Sequence, residues 1–424
     1  MFKFDEKVFK GDLPINYVFE SGNVNQDHLI VVFSGFNIPK TKAKENMKHT
    51  YNYIRTLRNI DCNKLFILDN YGPRGSYYIG NKETIGLEKS INELIEYILQ
   101  ENGIARENVI TAGSSKGGSA ALYYGLKYNY GHIVAGAPQT RIADYIKAFA
   151  EETFEYMVGK SPTEKEIESL NQLLFRQLHS GVGNDLRILT SENDIQYKKH
   201  IVPLIEQLNE HEIEFNLKID NNIQSHGQIA EHFPSYLITN ILDIIDGIKI
   251  KELKTIQVDS TKWRIGIEYE NSLPSNYRQK LIVKDQNVNV SESEIKDVYE
   301  FDLRSLDFNG TAILDVMFVL ERNQDGILNL PLTKQFVSNG SILKGTEFSI
   351  NNNTINFSID IEESTNLEYA FYVRRNNKVI DKIMYQKSRE LKYPINEPGK
   401  YQIHYFIRPK NGEKYSDRSK VITV

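Results

Sequence analysis

The segment Gly113-Ser114-Ser115-Lys116-Gly117 reads G-x-S-x-G, and its surroundings decide how it is interpreted. The apolar, strand-like run 108–112 precedes it, and the run 118–126, with small residues in its first turns, is typical of a helix. A serine on such a strand-to-helix turn is held in a strained conformation with its hydroxyl exposed at the end of the sheet. The flanking glycines leave room where side chains would collide. The alternative is a chance occurrence of the pentapeptide.

An acidic residue and a histidine follow downstream, each directly after a strand-like run. Asp194 follows the run 186–190, and His226 follows the run 215–219. In parallel sheets the reacting groups lie in loops at the carboxyl ends of the strands. The chain order Ser115, Asp194, His226 is the order found in α/β-hydrolases, and it differs from the orders of chymotrypsin-type and subtilisin-type proteases. The sequence therefore predicts a serine nucleophile with its acid and base.

The residue types define the chemistry of this site. Serine is a poor nucleophile at neutral pH, so His226 would accept its proton during attack and return it to the leaving group. Asp194 would hold His226 in the reactive tautomer and stabilise the imidazolium. Glu192 is the alternative acid, and His232 is a second candidate base. Asp194 has the alternative role of capping the helix predicted over residues 197–208.

Acyl transfer also needs hydrogen-bond donors for the oxyanion. The backbone N–H of Lys116, the residue after the nucleophile, is the first predicted donor. The second should come from the loop after the strand-like run 29–33, where Gly35 and Phe36 are the predicted source. An ordinary turn between a strand and a helix is the alternative interpretation of that loop.

The tyrosine-rich loop 71–80 follows another predicted strand, on the side of the sheet that holds the other candidate residues. Arg74 can bind a carboxylate or a phosphate through two parallel hydrogen bonds, and Tyr77 and Tyr78 can contact a sugar. We therefore predict that these three side chains bind substrate. The alternative is a loop packed by its own tyrosines.

The composition fits a soluble enzyme. The chain has 424 residues, a hydrophobic content of 40% and a net charge of −5, so nucleic-acid binding has no electrostatic support. No run reaches the roughly 18 apolar residues of a membrane span, and the N-terminus lacks the apolar core of a signal peptide. The single Cys62 excludes an internal disulfide framework. Neither zinc-site spacing nor a glycine-rich phosphate loop occurs, so no metal and no cofactor is predicted, and a cytoplasmic location is the default expectation.

The pattern of the chain changes near residue 250. Before it, strand-like and helical runs alternate, which predicts an α/β domain over residues 1–250, with a mostly parallel sheet and helices on both faces. A helical insertion at about residues 141–181 is predicted to form a cap over the site, with simple packing on the sheet as the alternative. After residue 250, period-two alternation predicts antiparallel β-modules, sandwich-like over residues 251–341 and of immunoglobulin or fibronectin type over residues 342–424.

Five segments together resemble the XcbB/CpsF-type proteins of bacterial capsular polysaccharide loci. They are Ser34-Gly35-Phe36, the loop 69–78, the elbow 113–118, the segment 136–140 and Ser225-His226-Gly227. The same segments are distantly similar to the accessory-Sec α/β-hydrolases, which act on acetyl groups of glycosylated adhesins. The resemblance covers roughly residues 28–247 and implies an α/β-hydrolase fold for that part of the chain.

The resemblance also implies a function in cell-surface glycan metabolism. We expect a serine hydrolase or acyltransferase that acts on an ester, first of all an O-acetyl group, of a capsular or cell-surface glycan. A glycan or glycoconjugate would be the substrate, and other polysaccharide-assembly proteins would be the partners. The expected location is the cytoplasm, including the periphery of membrane-bound assembly machinery. The alternative is a non-catalytic binding or scaffold protein of a polysaccharide assembly or export complex.

Overall fold

The computed structural model describes residues 5–36, 49–179, 183–258, 262–285, 288–302, 311–323, 325–338, 341–361, 367–409 and 414–424. Two units make up the chain, Met1–Gly247 and Ile248–Val424. The finer division into three domains stays a prediction. Within the described ranges, none of the helices combines the length and the apolar character that crossing a membrane requires.

An eight-stranded sheet organises the first unit. Its strands are β1 (Glu6–Lys10), β2 (Pro14–Glu20), β3 (Asn25–Phe33), β4 (Cys62–Ile67), β5 (Val109–Ser114), β6 (His132–Gly136), β7 (Asp185–Thr190) and β8 (Asn216–Ile219). Their order across the sheet is β1-β2-β4-β3-β5-β6-β7-β8. The strand β2 is antiparallel to both β1 and β4, whereas the pairs from β4 to β8 are parallel. The predicted mostly parallel sheet is therefore confirmed.

Helices cover this sheet on both faces. The described α-helices of the first unit are α1 (Leu87–Asn102), α2 (Lys116–Tyr128), α3 (Ile142–Phe149), α4 (Glu151–Val158), α5 (Glu164–Asn171), α6 (Val202–Glu210) and α7 (Ile229–Asp246), of which α1, α2, α6 and α7 pack on the sheet. Apolar side chains of α1, α2 and α6 share one hydrophobic core with alternate residues of β3, namely Leu29, Val31 and Phe33. Helix α7 contacts β5, β6 and β7 with side chains outside that core. Gly247, in the left-handed conformation with a φ of 63°, ends α7 and with it the first unit.

The predicted helical insertion consists of three short helices, α3, α4 and α5. They form a separate hydrophobic cluster that includes the buried Tyr77 and the partly buried Phe36. A capping box of Thr163 and Glu166 begins α5. The cluster joins the insertion to the loops that follow β3 and β4. Its role as a cap stays a prediction, and residues 180–181 at its predicted end lie outside the described residues.

The regular structure described in the second unit consists of antiparallel strands. They are β9 (Ile250–Gln257), β10 (Lys262–Tyr269), β11 (Tyr277–Asp285), β12 (Val288–Glu294), β13 (Val298–Asp302), β14 (Thr311–Arg322), β15 (Asp325–Ser338), β16 (Ser341–Asn351), β17 (Thr354–Ile361), β18 (Leu367–Arg375), β19 (Lys378–Gln386), β20 (Glu390–Pro394), β21 (Lys400–Pro409), β22 (Tyr415–Arg418) and β23 (Ile422–Thr423). Three sheets result, with the orders β13-β10-β9, β12-β11-β14-β15-β16-β17-β20 and β19-β18-β21-β22, and β23 pairs with β21. The predicted antiparallel modules are therefore present.

One hydrophobic cluster links two of these sheets. Phe357 of β17 belongs to the same cluster as Phe371 of β18 and Tyr405 of β21. The seven-stranded sheet also crosses the predicted module boundary at residue 341, because β15 and β16 pair through Val337↔Ile342 and Ser338↔Ser341. An immunoglobulin- or fibronectin-type sandwich stays a prediction for this unit.

Candidate active site

Ser115 lies on the turn between β5 and α2 in a strained backbone conformation. Its φ is 55° and its ψ is −123°, in a part of φ/ψ space that costs a non-glycine residue about 1–3 kcal/mol. Close backbone contacts explain the glycines around it. A Cβ on Gly113 would lie 2.5 Å from the carbonyl oxygen of Gly117, and a Cβ on Gly117 would lie 2.2 Å from the carbonyl oxygen of Phe33. The turn therefore requires glycine at both positions.

A continuous hydrogen-bond chain joins Ser115, His226 and Asp194. The Ser115 hydroxyl lies 2.8 Å from Nε2 of His226, and Nδ1 of His226 lies 2.7 Å from Oδ2 of Asp194. The buried Asp194 carboxylate favours the tautomer with a proton on Nδ1, which leaves Nε2 to accept the serine proton. The other carboxylate oxygen, Oδ1, accepts the N–H of Gln196 at 2.9 Å. The Asp194 carboxylate thus contacts both His226 and the turn that follows Asp194 in the chain.

The alternative acid and the alternative base lie apart from this chain. Glu192 is exposed, and the carboxylate on Nδ1 of His226 is that of Asp194. His232 pairs instead with Asp220, with 3.1 Å between Nδ1 and Oδ2. The structure therefore brings together the preferred acid and the preferred base of the sequence interpretation.

Gln139 is a site residue that the sequence analysis missed. Its Nε2 donates to Oγ of Ser115 at 2.9 Å, while its Oε1 accepts from the hydroxyl of Tyr77. Its backbone is held by Ser119, whose Oγ accepts the Gln139 N–H at 2.8 Å and donates to the Gln139 carbonyl at 2.9 Å. The amide is fully buried, and these contacts fix which end faces the serine. Two signals were available: its place just after the carboxyl end of β6 and its membership of the segment 136–140 that carries the family resemblance.

The predicted oxyanion donors need one correction. The N–H of Gly35 donates to Oδ1 of Asn52 at 3.0 Å, so this donor already has a partner. Lys116 is the first residue of α2, and the first N–H groups of a helix have no intrahelical acceptor. Lys116 and Phe36 therefore remain as the candidate donors.

The side chain of Lys116 turns away from the nucleophile into a buried ion pair. Its Nζ lies 2.6 Å from Oδ2 of Asp69, and both side chains are 1% exposed. Burial lowers the pKa of Lys116, and the Asp69 charge opposes that effect. Oδ2 of Asp69 also accepts the N–H groups of Ser76 at 2.8 Å and Tyr78 at 3.1 Å. The hydroxyl of Tyr78 in turn accepts the N–H of Ser34 at 2.5 Å, so the network links the start of α2 to the loop after β3.

The prediction that Tyr77 and Tyr78 bind substrate is corrected by their burial. Both are 0% exposed, and both have a positive φ, of 56° and 63°. The Tyr78 hydroxyl donates to the carbonyl of Ile67, so the ring is part of the protein core. The alternative, a loop packed by its own tyrosines, describes these two residues. Arg74 is partly exposed and pairs with Glu152, with 2.7 Å between Nε and Oε1; its substrate contact stays a prediction.

Cys62 lies in the core of the first unit, away from this chemistry. It is fully buried in β4, and burial raises the pKa of its thiol to about 12. Among the residues that the structure describes, no group of three or more His, Cys, Asp or Glu side chains has an arrangement that could hold a metal ion.

Comparison with known proteins shows where this chain has relatives. Residues 15–185 match the family described as the accessory Sec system GspB-transporter. An accessory Sec system protein of Staphylococcus aureus is 27% identical over 165 residues. The chain is similar to the accessory Sec family. The resemblance predicted from the motif residues is therefore confirmed.

The extent of these matches is limited. The match to the Staphylococcus aureus protein spans 37% of this chain and 29% of that relative, less than a third of its length. The family match contains the elbow with Ser115 and the newly found Gln139, and it ends before Asp194 and His226.

Solved structures with a similar chain include enzymes of ester chemistry. A capsule O-acetyltransferase of Neisseria meningitidis serogroup A is 26% identical, with a TM-score of 0.47 over 54% of this chain and 94% of that chain. A glycosylation-associated protein complex of Streptococcus agalactiae is 18% identical, with a TM-score of 0.45 over 56% of this chain and 46% of that chain. An acetyl ester-xyloside bifunctional hydrolase of Caldicellulosiruptor lactoaceticus is 16% identical, with a TM-score of 0.39 over 55% and 90%.

Proposed function

We propose that this chain is a serine esterase or acyltransferase acting on an ester, first of all an O-acetyl group, of a bacterial capsular or cell-surface glycan. The observation that carries the proposal is the hydrogen-bond chain from Ser115 through His226 to the buried Asp194, on a turn where Ser115 has a φ of 55°. Strained backbone at a serine, with a base and an acid in line, is the arrangement of covalent acyl transfer.

The reaction follows from the contacts of these groups. Oγ of Ser115 attacks the carbonyl carbon of the ester while Nε2 of His226 takes the hydroxyl proton, and Asp194 stabilises the resulting imidazolium. The oxyanion accepts hydrogen bonds from the backbone N–H groups of Lys116 and Phe36. One such donor contributes on the order of 3 kcal/mol to the stability of the transition state. His226 then returns the proton to the departing alkoxide, which leaves the acyl group on Ser115.

The second half of the reaction reverses these proton transfers. An incoming hydroxyl group gives its proton to His226 and attacks the acyl carbon, and Oγ of Ser115 leaves. Water as the incoming group gives hydrolysis, and a sugar hydroxyl gives transfer. The glycan part of the proposal rests on the motif resemblance to capsular polysaccharide proteins and on the accessory Sec match over residues 15–185.

The test is covalent labelling with a fluorophosphonate probe, followed by mass spectrometry of the labelled peptide. We expect the label on Ser115 in the wild type and no label on the Ser115→Ala variant with an unchanged melting temperature. The unlabelled wild type should release acetate from a panel of O-acetylated bacterial glycans, or move it to a second glycan, whereas the labelled protein and the Ser115→Ala variant should do neither. Folded protein that takes up no label would overturn the proposal and favour the non-catalytic scaffold.

A further inference from the structure

One face of the five-stranded sheet in the second unit carries aromatic and basic side chains. Alternate residues of its strands point to the core, as Phe371 and Val373 of β18 and Ile403 and Tyr405 of β21 do. The residues between them lie on the opposite face. We call that face the cationic face. It includes Tyr372, Arg374, Lys382, His404, Phe406, Lys414 and Arg418, together with the paired Glu368 and Arg408.

Strand register places the central residues of this face in a row. Tyr372 of β18 lies opposite His404 of β21, and His404 lies opposite Arg418 of β22. The aromatic rings contact one another, with centroid distances of 4.3 Å between His404 and Phe406 and 4.8 Å between Tyr372 and Phe406. Because adjacent strands fix these positions, the cluster forms without any ligand.

Basic groups surround the rings. Nζ of Lys382 lies 5.1 Å from the ring centroid of Tyr372, and Nζ of Lys414 lies 5.4 Å from that of Phe406. Arg374 follows two residues after Tyr372 on the same strand. Within the described ranges, Arg374, Lys382, Lys414 and Arg418 form no ion pair with a carboxylate. Arg408 on the same face pairs with Glu368, and Arg375, outside the face, pairs with Glu397.

Asp381 and Asp417 lie on the other face of the sheet, and Glu368, which shares the cationic face, is paired with Arg408. Asp381 is opposite Val373, and Asp417 is opposite Tyr405, both of which point to the core. Among the described residues, Arg374, Lys382, Lys414 and Arg418 are therefore left without a carboxylate partner. Burial and the neighbouring Arg418 lower the pKa of Arg374. The pKa of His404 falls to about 4 because of burial and the three nearby cations.

We propose that the cationic face binds an anionic glycan, with carboxylate or phosphate groups on Arg374 and Arg418 and a sugar ring against the aromatic cluster. Arginine pairs with both anions through two parallel hydrogen bonds. Aromatic rings offer an apolar surface beside a polar edge, which suits a sugar better than a bare anion. This binding site lies in a different unit from Ser115, and it does not depend on the catalytic proposal.

The test measures binding of the full chain to three polymers by calorimetry. Polysialic acid supplies carboxylates, a poly(glycerol phosphate) polymer bearing sugars supplies phosphates, and dextran is the neutral control. We expect binding to one or both anionic glycans and none to dextran. The double variant Arg374→Gln and Arg418→Gln should lose roughly tenfold or more in affinity, because hydrogen bonds to charged groups are among the stronger ones.

A matched control removes the same charge elsewhere. The double variant Arg264→Gln and Arg375→Gln loses two arginines that pair with Glu300 and Glu397 outside the face, and it should keep wild-type affinity. Equal losses in both double variants would overturn the proposal, as would failure of the wild type to bind either anionic glycan.

The aromatic part has its own test against inorganic polyphosphate, a polyanion without sugar. Tyr372→Ala should weaken glycan binding several-fold and leave polyphosphate binding unchanged. Unchanged glycan affinity in this variant would overturn the glycan assignment and leave a general anion site. Esterase activity on p-nitrophenyl acetate is measured in parallel on the same variants. A wild type without esterase activity would count against the role of Ser115, and a wild type that hydrolyses the ester but binds neither anionic glycan would count against the cationic face.

Discussion

The oxygen of Ser115 donates a hydrogen bond to His226 and accepts one from Gln139. The second bond has a chemical consequence. A donor on this oxygen makes it a weaker nucleophile when it attacks the ester, and a better leaving group when the acyl-enzyme breaks down. In the proposed reaction, Gln139 would therefore favour the second half, in which the acyl group passes to water or a sugar.

Replacing Gln139 with Leu removes this donor and leaves the Tyr77 hydroxyl without its acceptor. We expect the rate of deacylation to fall about tenfold, the equivalent of roughly one hydrogen bond, and the rate of acylation to fall less. Pre-steady-state kinetics on p-nitrophenyl acetate separate the two rates. The burst phase reports acylation, and the steady-state phase reports deacylation. Tyr77→Phe, which keeps the amide, should have a smaller effect. An equal fall in both rates would show that Gln139 has only a structural role.

Two of the histidine–aspartate pairs in the first unit provide an internal comparison. His226 pairs with Asp194 beside the nucleophile, and His232 pairs with Asp220 away from it. His226→Ala should lower turnover of p-nitrophenyl acetate by at least about a hundredfold, because general base catalysis is lost. His232→Ala should keep wild-type turnover. Similar losses in the two variants would contradict the assignment of the base.

The sequence predicts the residues of this site unevenly, for a physical reason. Ser115, Asp194 and His226 could be predicted because each is a reactive type directly after a strand. The burial of Tyr77 and Tyr78 could not be predicted. A tyrosine in a polar loop is expected to be exposed, whereas both of these side chains are fully buried. The partner of the Gly35 N–H, a side chain 17 residues away, could not be found from any local pattern.

At the scale of elements, the loop after β4 is built around the ion pair of Lys116 and Asp69. Replacing Asp69 with Asn leaves a buried ammonium group without its counter-ion, which typically costs about 3–5 kcal/mol in the free energy of unfolding. Denaturant unfolding followed by circular dichroism measures this loss. The double change Lys116→Met and Asp69→Asn should recover much of it, because no charge is then buried and the Asn carbonyl can still accept the N–H groups of Ser76 and Tyr78.

An exposed ion pair serves as the control for this prediction. Asp12 pairs with Lys89 at 2.9 Å, and the two side chains are 56% and 62% exposed. Asp12→Asn should change the unfolding free energy by less than about 1 kcal/mol. If Asp69→Asn lowers the free energy of unfolding no more than Asp12→Asn does, the buried ion pair does not stabilise the loop.

The π-helical turn Tyr197–Ile201 contains His200, which is 3% exposed. Burial lowers its pKa from 6.5 to about 4, so below pH 6.5 the unfolded chain binds a proton that the folded chain does not. The stability contributed by this neutral histidine is present above pH 6.5 and is lost as the pH falls towards 4, at most about 3 kcal/mol in total.

His200→Asn tests this dependence on pH. The Asn carbonyl can replace Nδ1 of His200, which accepts the N–H of Arg141 at 3.2 Å. We expect the variant to lose less stability than the wild type between pH 7 and pH 5, measured as unfolding free energies in urea. His404 in the second unit is present in both proteins, so its titration cancels in the difference between their unfolding free energies. Parallel stability curves would contradict a role for His200.

At the scale of the whole molecule, Ser115, Asp194 and His226 all belong to the unit Met1–Gly247. We expect residues 1–247 to fold alone and to keep activity on a small ester, while activity on polymeric glycan falls much further. The measurement compares both substrates for the full chain and the truncated chain. Insoluble truncated protein, or equal losses on both substrates, would show that the second unit belongs to the catalytic one.

The strands of the second unit could be predicted from period-two alternation, but their sheets could not. Alternation shows that one side of a strand is buried, and it does not say which strand lies beside it. The pairing of β15 with β16 illustrates this, since the pairs Val337↔Ile342 and Ser338↔Ser341 cross the position that the local sequence pattern marks as a boundary between modules. In the first unit the alternation of strands and helices restricts the topology far more, because parallel neighbours need a crossover.

Cys62 has a practical use that follows from its position. It is the single cysteine of the chain and lies at 0% exposure in β4, next to the centre of the first sheet. A thiol-reactive dye should therefore leave the native protein unlabelled and react when this sheet opens. The labelling rate then reports the opening of the first unit alone, even while the second unit unfolds or binds a polymer.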